Sequence, residues 1–406
     1  MSFRTALSGL NAAQTDLNVT GNNIANANTT GFKGSKTQFV DVYATSFLGV
    51  GNTTAGSGVR VSSITQNFSQ GNVSFTSNNL DMAINGDGFF VLNENGSKIY
   101  SRAGAFHLNR DGYVVNTQDA RLQVFPATIA GSVDTGVLAD LQLKTTEGAP
   151  AATAAVKVGV NLPSAESMPA AAFNPLNPDT YNHSSSTVVY DSLGTSHTAT
   201  MYFRKTAAVN LWNTYLYVDG TAVPSGGVSP IQLSFNSTGT LATPQPMIYD
   251  PYATTTGSNP ITMSFDFSAT TQYGSAFSVN SLSQNGFATG RLTGINTDSS
   301  GTVSARYTNG QSKVLGKIAM ASFANSNGLN QLGDTSWGET FTSGDRVLGE
   351  AGRGTFGLIQ SGAVESSNVD VAEQLVGLIT AQRNYQANAQ VISTENQVTQ
   401  TIINIR

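Results

Sequence analysis

Both ends of this chain carry apolar side chains at the alternating four- and three-residue spacing of a coiled coil. In the N-terminal segment these residues are Phe3, Leu7, Leu10, Leu17 and Ile24. A second N-terminal stripe consists of Ala6, Leu10, Ala13, Leu17 and Ile24. In the C-terminal segment they are Val371, Leu375, Leu378, Tyr385, Ile392 and Ile403. Because such a repeat keeps one face of a helix against a partner, we predict two helices that pair with each other and with neighbouring copies.

The expected ends of these helices follow from their capping residues. Ser2 is a suitable N-cap for the first helix, and Gly31, which follows an Asn-rich run, is expected to end it. The second helix is expected from about residue 369 to residue 405, with Asp370 and Glu373 as a capping box. At the rise of an α-helix the two are roughly 35 Å and 50 Å long. We therefore assign residues 1–28 and 366–406 to a terminal helical polymerisation domain.

The surface of the C-terminal helix between its apolar positions is polar and nearly uncharged. From Ala381 to Gln400 only Arg383 and Glu395 carry a charge. Charged residues form 11% of the whole chain, against about 25% in an average protein. A solvated helix face normally carries Glu and Lys pairs. The uncharged face therefore predicts burial against other helices, or a passage along which a chain slides.

The middle of the chain reads as β-structure with many turns. Asn-Gly and Asp-Gly pairs between short apolar runs indicate hairpins in residues 80–144 and 284–365, which we assign to an inner β-domain. Residues 145–283 lie between Ala/Pro/Ser-rich linkers and are assigned to an inserted outer β-domain, and residues 29–79 to an extended connector. The predicted fold class is mixed: paired terminal α-helices and two all-β domains, the outer one inserted into the inner one.

Several function classes are disfavoured by composition. The net charge is −5 and there is no basic run, so no binding to nucleic acid is expected. The chain has no cysteine, which removes disulfides, thiolate metal sites and cysteine nucleophiles. No apolar run is long enough to span a bilayer, and the first residues do not resemble a cleavable signal peptide, so neither membrane insertion nor signal-peptide export is expected.

No catalytic, cofactor or metal site is expected. His107, His183 and His197 have no second ligand at a suitable spacing and are interpreted as exposed or half-buried strand positions. Residues 93–96 and 109–112 resemble the beginning of calcium loops, but hairpin turns explain both. The acidic residues show no pair typical of a glycosidase. Trp212, Tyr215 and Tyr217 leave open a surface adhesin with a binding patch, although alternating aromatic residues in a strand are usually core.

Three motifs resemble bacterial flagellar rod and hook proteins. Residues 8–13 and 21–33, which include Gly21-Asn22-Asn23-Ile24-Ala25-Asn26 and Gly31-Phe32-Lys33, resemble the N-terminal signature of that family. Residues 80–90 resemble the beginning of its middle β-domain. Residues 367–370 and 381–386 resemble its C-terminal signature. Three features resemble the hook members rather than the shorter rod members. They are the inserted domain of residues 145–283, the segment 284–290, and Ala324-Asn325 with Gly328-Leu329.

The resemblance implies a structural role without enzymatic activity. It implies a curved tubular homopolymer that joins rod to filament as a universal joint and encloses an export channel. The implied partners are further copies, rod and hook–filament junction proteins, the hook cap during assembly and the flagellar export apparatus. The implied location is the extracellular flagellar hook, next to the basal body. A distal rod subunit, which is a rigid shaft, is the nearest alternative.

Overall fold

The structure is a computed structural model of the chain, and it describes residues 2–42, 56–128, 132–143 and 148–404. The chain forms two compact units. The first comprises residues 1–144, 294–306 and 312–406, and the second comprises residues 145–293 and 307–311. The second unit extends beyond the expected boundary at residue 283 because the amides of Gly148 and Ala151 donate to the carbonyls of Gly290 and Phe287.

The two terminal segments form the helices α1 (Ser2–Ala25) and α2 (Val371–Asn404). The carboxylate of Asp370 accepts hydrogen bonds from the backbone amides of Ala372 and Glu373, which supplies the Asp370 half of the predicted capping box. Helix α1 ends at Ala25, before the predicted end at Gly31. Beyond Ala25 the chain continues in turns, in which the amides of Ala27 and Thr29 donate to the carbonyls three residues earlier.

The strands follow between the helices. Those of the first part of the chain are β1 (Ser35–Asp41), β2 (Val59–Gln66), β3 (Val73–Phe75), β4 (Met82–Asn85), β5 (Phe89–Glu94), β6 (Ser97–Ser101), β7 (His107–Leu108), β8 (Val114–Val115), β9 (Arg121–Pro126) and β10 (Ala139–Asp140). The next are β11 (Ala155–Asn161), β12 (His183–Tyr190), β13 (Ser196–Lys205), β14 (Leu211–Val218), β15 (Thr221–Val223), β16 (Ile231–Ser234), β17 (Met247–Ile248), β18 (Ser264–Asp266) and β19 (Ser278–Gln284). The last are β20 (Leu292–Thr297), β21 (Thr302–Tyr307), β22 (Ser312–Ser322), β23 (Asn330–Gly333), β24 (Ser336–Gly338), β25 (Val347–Glu350), β26 (Leu358–Ser361) and β27 (Ala363–Glu365).

The largest sheet of the first unit has the strand order β20-β21-β22-β9-β5-β6-β24-β23, which differs from the order of the strands in the sequence. Both faces of its central strand β5 are buried. Phe90 and Leu92 point into one apolar cluster, and Phe89 and Val91 point into a second that contains Trp337. The predicted turn between β5 and β6 is present, with Asn95 and Gly96 both at positive φ. The inner β-domain is therefore a sheet with apolar packing on both sides.

The segment predicted as an extended connector is partly a hairpin. Strands β1 and β2 pair antiparallel, and the backbone amide of Val59 donates to the Ser8 hydroxyl on α1 at 3.2 Å. Strand β3 pairs with β27, which immediately precedes α2. Residues 43–55 of the predicted connector lie outside the described residues. The connector therefore contacts α1 through β2 and pairs through β3 with β27, the last strand before α2.

The second unit contains two sheets that share one apolar core. One runs β17-β18-β11-β19 and the other β12-β13-β14-β15, with β16 paired to β14. Alternate residues of β14 point inward, so Trp212, Leu216 and Val218 are buried with Phe203 of β13 and Val158 of β11. The arrangement is a two-layer β-structure with period-2 burial along its strands.

Candidate functional site: the terminal helix pair and its base

The helices α1 and α2 pack against each other in antiparallel orientation. The amide of Asn23 donates to Gln374 Oε1 at 3.0 Å. Further along, Thr20 approaches Gly377, and a Cβ placed on Gly9 lies 2.5 Å from Asn388 Oδ1. Residue numbers rise along α1 while they fall along α2, and the sum of the two numbers is the same at each contact. At Gly9 the absence of a side chain leaves room for the Asn388 side chain.

The covered face of α2 follows a heptad repeat. Its half-buried or buried residues are Gln374, Leu378, Ala381, Tyr385, Asn388, Ala389, Ile392 and Glu395. On α1, Ala6, Ala13 and Thr20 are buried, and Leu10, Leu17 and Ile24 are half-buried. This face of α1 is the second predicted stripe. The pairing of the terminal helices is thus present, through a seam in which small and amide side chains alternate with larger apolar ones.

Part of the predicted apolar set lies outside this seam. Phe3 and Leu7 are each 42% exposed, and Val371, Leu375 and Ile403 are exposed as well. The reason is an offset of one residue in every second position of the repeat. Gln374 and Ala381 face the seam, whereas the predicted Leu375 faces outward. The assignment of these exposed residues to contacts between copies remains a prediction.

The exposed apolar residues of α2 form two short stripes on its outer surface, one at its beginning and one toward its end. They are Val371, Leu375, Val376, Ile379, Val391, Val398, Ile402 and Ile403. The helix has 34 residues and α1 has 24, so the last two turns of α2 extend past the beginning of α1. Between the apolar stripes the outer surface carries mainly Gln, Asn, Ser and Thr. This is an apolar and uncharged polar surface that no other described part of the chain covers.

A buried cluster of charges lies at the base of the helix pair. Lys33 follows α1, Glu365 precedes α2, and Arg102 comes from the loop after β6. Lys33 Nζ lies 2.6 Å from Glu365 Oε1, and Arg102 Nη1 lies 3.4 Å from Glu365 Oε2. The Glu365 carboxylate also accepts from the backbone amide of Gly71, and Lys33 donates to the Ser69 carbonyl. One carboxylate therefore joins the bases of both helices, the connector and the inner β-domain.

Burial works against the positive charges in this cluster. It lowers the pKa of the Lys33 ammonium, and the neighbouring Glu365 carboxylate partly offsets that effect. Burial likewise lowers the pKa of the Arg102 guanidinium, again opposed by Glu365. Removing Glu365 leaves two desolvated cations without their counter-ion, which is far more unfavourable than removing a pair at the surface.

Two asparagines complete the base. Asn368 Oδ1 accepts from the backbone amide of Gly34, and its Nδ2 donates to the carbonyls of Asn67 and Ser69. Asn23 spans Ser35 and Gln374. Lys33, Asn23 and Asn368 all stand in the motifs that resemble the rod and hook family. Sequence reasoning did not single them out as site residues, because nothing in their spacing shows which distant backbone atoms they reach.

The three histidines considered as possible catalytic or metal-binding residues differ in their surroundings. His197 is buried between Asp219, at 2.5 Å, and Asp191, at 3.5 Å, so its interpretation as exposed or half-buried was wrong. His183 is half-buried, next to Glu166 and stacked on Phe277, and His107 is exposed. Within the described ranges, no three His, Asp or Glu side chains form a group able to hold a metal ion.

The two turns that resemble calcium loops are brought together. Three residues of each turn line one polar cleft of about 680 Å³, which also contains Arg121: Asn93, Asn95 and Gly96 of the first turn, and Asn109, Arg110 and Asp111 of the second. Trp212 is core, whereas Tyr215 and Tyr217 lie on the opposite sheet face, where Phe173 stacks on Tyr215 with ring centroids 3.7 Å apart. In the part of the chain that the structure describes, no helix is long and apolar enough to cross a membrane.

Four family models match along the chain in order. Residues 3–33 match flagella basal body rod proteins, and residues 83–165 match the D1 domain of the flagellar hook protein FlgE/F/G group. Residues 161–287 match the D2 domain of flagellar basal body protein FlaE. Residues 360–405 match the C-terminal segment of the flagellar basal body rod FlgEFG proteins. The first and last matches coincide with the helix pair and its base.

Curated relatives align over the full length. The flagellar hook protein FlgE of Escherichia coli K12 is 38% identical, with 100% of both chains covered. The hook protein of Rhizobium meliloti is 34% identical over 100% of this chain and 98% of its own. That of Borreliella burgdorferi is 30% identical over 100% and 99%. The alignments include the second unit as well as the helices.

A solved structure supports the fold. The flagellar hook protein FlgE2 of Helicobacter pylori superposes with a TM-score of 0.55, covering 72% of this chain and 100% of that one, at 14% identity. At this identity the likeness concerns the fold alone. It shows that the β-rich architecture occurs in a second hook protein.

Proposed function

Because this chain belongs to the family of bacterial flagellar hook proteins, structural subunits of the flagellar hook, we propose that its helix pair joins one copy to the next in a curved tubular polymer. Full-length similarity to hook proteins, including the second unit, favours the hook subunit over a distal rod subunit. The finer points below, namely which surfaces join the copies and what lines the tube, are proposals.

The observation that carries this proposal is the uncovered apolar surface of α2. Leu375, Ile379 and Val376 lie on one outer side near the beginning of the helix, and Val398 and Ile402 lie near its end. Monomeric proteins rarely expose large contiguous apolar patches, and such patches commonly mark protein–protein contacts. A helix of a neighbouring copy that covers these residues removes this surface from water, with a gain of about 25 cal/mol per Å² of apolar area.

The uncharged polar surface of α2 suits the inside of the tube. Gln, Asn, Ser and Thr side chains present hydrogen-bonding groups without fixed charge, so an exported chain slides along them without being held electrostatically. The β-units then form outer shells. Polar contacts between shells that exchange readily with water permit the sliding that bending requires. The proposed partners are rod and hook–filament junction proteins, the hook cap and the export apparatus.

The experiment compares Leu375→Gln combined with Ile379→Gln against the matched control Leu176→Gln. Leu176 is exposed like the two helix residues, but it lies in a loop of the second unit. Salt-induced assembly is followed by sedimentation and electron microscopy, and urea unfolding checks the fold. We expect both variants to unfold in urea at the same concentration as the parent protein. The control should form tubes, whereas the helix variant should remain monomeric. Tubes of normal yield from the helix variant contradict the proposal.

Truncation provides a second test of the same proposal. Chains that lack residues 1–25 or 380–406 are expected to remain monomeric with their β-units intact, because one half of the helix pair is gone. Normal tubes from either truncated chain would show that the polymer is joined elsewhere.

A further inference from the structure

One aromatic side chain of the first unit is completely exposed. Phe341 stands at the tip of a turn, residues 340–344, that follows β24, and its exposure is 101% of the reference value. A fully exposed Phe on a mobile loop is unremarkable, since the ring can fold back onto the surface. The question is therefore whether this turn is held in place.

Charged residues on the two sides of the turn bind each other. Arg346 donates to both carboxylate oxygens of Glu339, at 2.8 Å and 3.0 Å, and Tyr100 donates to the same carboxylate at 2.9 Å. Tyr100 is itself buried in the sheet. Both bonds from Arg346 start at its Nη1 atom, and together with the bond from the buried Tyr100 they join the two stems of the turn to the sheet.

The body of the turn is bound to a neighbouring segment. The Thr340 hydroxyl donates to the Gly328 carbonyl at 2.5 Å, and Asn325 Nδ2 donates to the Thr342 carbonyl at 3.0 Å. The Asn325 backbone amide donates to the carbonyl of Ser343, a residue with no exposed surface. A Cβ on Gly328 would lie 2.5 Å from the backbone carbon of Thr342, so only glycine allows this approach. The Ala324-Asn325 and Gly328-Leu329 motif, whose role the helix pair does not explain, therefore holds a turn that presents Phe341.

The same unit contains a cavity that suits such a side chain. It has a volume of about 430 Å³, and Phe32, Ala103 and Ala105 contribute its apolar lining. This volume exceeds the roughly 150 Å³ that holds a benzene ring in a closed apolar cavity, and the pocket is open to solvent on one side. Around this lining lie amide and hydroxyl side chains, among them Asn26, Thr117 and Gln118, which match the uncharged Thr and Ser residues of the turn. Phe341 of the same chain does not enter the cavity, since its ring is fully exposed.

The turn and the cavity lie at opposite ends of one hairpin. The tip of the β23–β24 hairpin, Asp334 and Thr335, lines the cavity, together with Gln331. The turn 340–344 contacts Gly328 at the base of the hairpin. A protruding side chain and a complementary cavity at different places on one molecule give a head-to-tail contact, which builds open helical arrays rather than closed dimers.

We propose that Phe341 of one copy inserts into the cavity lined by Phe32, Ala103 and Ala105 in a second copy of this chain. The inference rests on the proposed polymer and adds a contact between inner β-units to the contact between helices. The turn is preformed, so little conformational entropy is lost when it docks. The contact sets the position of one copy along the next, because a single ring fits a single cavity.

The test uses the absence of cysteine in this chain. Phe341→Cys and Thr117→Cys are made as separate proteins, mixed, assembled with salt and treated with a short bismaleimide. We expect a cross-linked dimer in the mixture that neither protein forms alone. Phe341→Cys mixed with Phe75→Cys, an exposed position of the same unit outside the cavity, is the control and is expected to give no such dimer. Tubes that form without the Phe341–Thr117 cross-link overturn the proposal.

A second measurement does not depend on cross-linking. Phe341→Ser is expected to unfold in urea like the parent protein but to need at least a ten-fold higher concentration for assembly. Assembly at the parent concentration overturns the docking role. The helix variant Leu375→Gln with Ile379→Gln separates the two proposals. If it assembles normally the helix-joined polymer is wrong, whereas if only Phe341→Ser assembles normally the polymer stands without this contact.

Discussion

Lys33 Nζ lies 2.6 Å from Glu365 Oε1, and neither side chain is exposed to solvent. The two residues are 332 positions apart in the chain. Lys33 follows the first helix and Glu365 precedes the second, so this contact closes the chain on itself where the helix pair meets the sheet. Arg102 adds a second cation from the inner β-unit. The orientation of the helices relative to that sheet therefore depends on one buried carboxylate.

Lys33→Met is expected to destabilise the first unit strongly. The substitution leaves Glu365 buried with the longer Arg102 contact as its counter-ion, and breaking a buried pair on one side costs about 3–5 kcal/mol. Urea unfolding followed by Trp337 fluorescence in a Trp212→Phe background measures it. Lys36→Met, at an exposed neighbouring position, is the control and should change the free energy of unfolding by less than about 0.5 kcal/mol. Equal effects from both variants would show that the buried pair has no special role.

Gly9→Ala and Gly21→Ala are expected to act in opposite directions. Both glycines are in α1, where alanine is favoured over glycine by about 1 kcal/mol. A Cβ on Gly21 meets nothing within 4 Å, so this substitution should stabilise the helix. At Gly9 the new Cβ lies 2.5 Å from Asn388 Oδ1, so α2 or the Asn388 side chain has to move. Urea unfolding of the monomers, followed by far-UV circular dichroism, should place one variant above the parent and the other below it.

Asn368→Asp is expected to lower the free energy of unfolding by about 1–3 kcal/mol, because a carboxylate cannot donate to the carbonyls of Asn67 and Ser69. The backbone amide of Gly34 keeps its acceptor in the variant. Asn79→Asp, on the exposed surface, is the control. Thermal unfolding of the three proteins measures the difference. A variant as stable as the parent would mean that water replaces the lost donor.

The second unit is expected to lose stability in acid through Asp219. Burial alone would raise the pKa of this carboxyl, but hydrogen bonds from the His197 ring and the Thr198 amide lower it below its ordinary value of 3.8. Since the pKa is lower in the folded than in the unfolded protein, the stabilisation is present above the unfolded value and is lost as the pH falls through the folded value.

Trp212 reports on this unit alone in a Trp337→Phe background. Urea unfolding at a series of pH values should show a decreasing free energy below about pH 4. Asp219→Asn should reduce this slope, while Asp134→Asn, a turn residue of the first unit, should leave it unchanged. An identical slope in the Asp219 variant would assign the acid sensitivity to other carboxyls, such as Asp191, whose pKa is also lowered by its hydrogen bonds although burial alone would raise it.

Local patterns predicted the elements well. Asp370 caps α2 as its position indicated, and the Asn95-Gly96 and Asn309-Gly310 pairs stand at the turns of the β5–β6 and β21–β22 hairpins. These features depend on residues a few positions apart, so the sequence contains all that is needed to recognise them. The interpretation of the three aromatic residues of β14 as core is confirmed for Trp212 only, because Tyr215 and Tyr217 are half-buried on the other face of the strand.

The seam between the helices was predicted only in part. Heptad spacing identified Leu378, Tyr385 and Ile392, but it also selected Leu375, which faces outward, and it missed Ala381, the most buried residue of α2. Apolar periodicity ranks positions by hydrophobicity. A close helix contact is also decided by size, because only a residue without a side chain at Gly9 leaves room for Asn388.

By itself, the sequence determined that two long helices stand at the ends, where each begins, and that β-hairpins lie between them, because caps, periodicity and turns are set by neighbouring residues. Only the tertiary structure decided which helix faces meet, that Lys33, Arg102 and Glu365 form one buried cluster, and that Phe341 stands on a fixed turn. These facts depend on residues brought together across hundreds of positions. Their energies arise from desolvation and close packing, which no short-range pattern records.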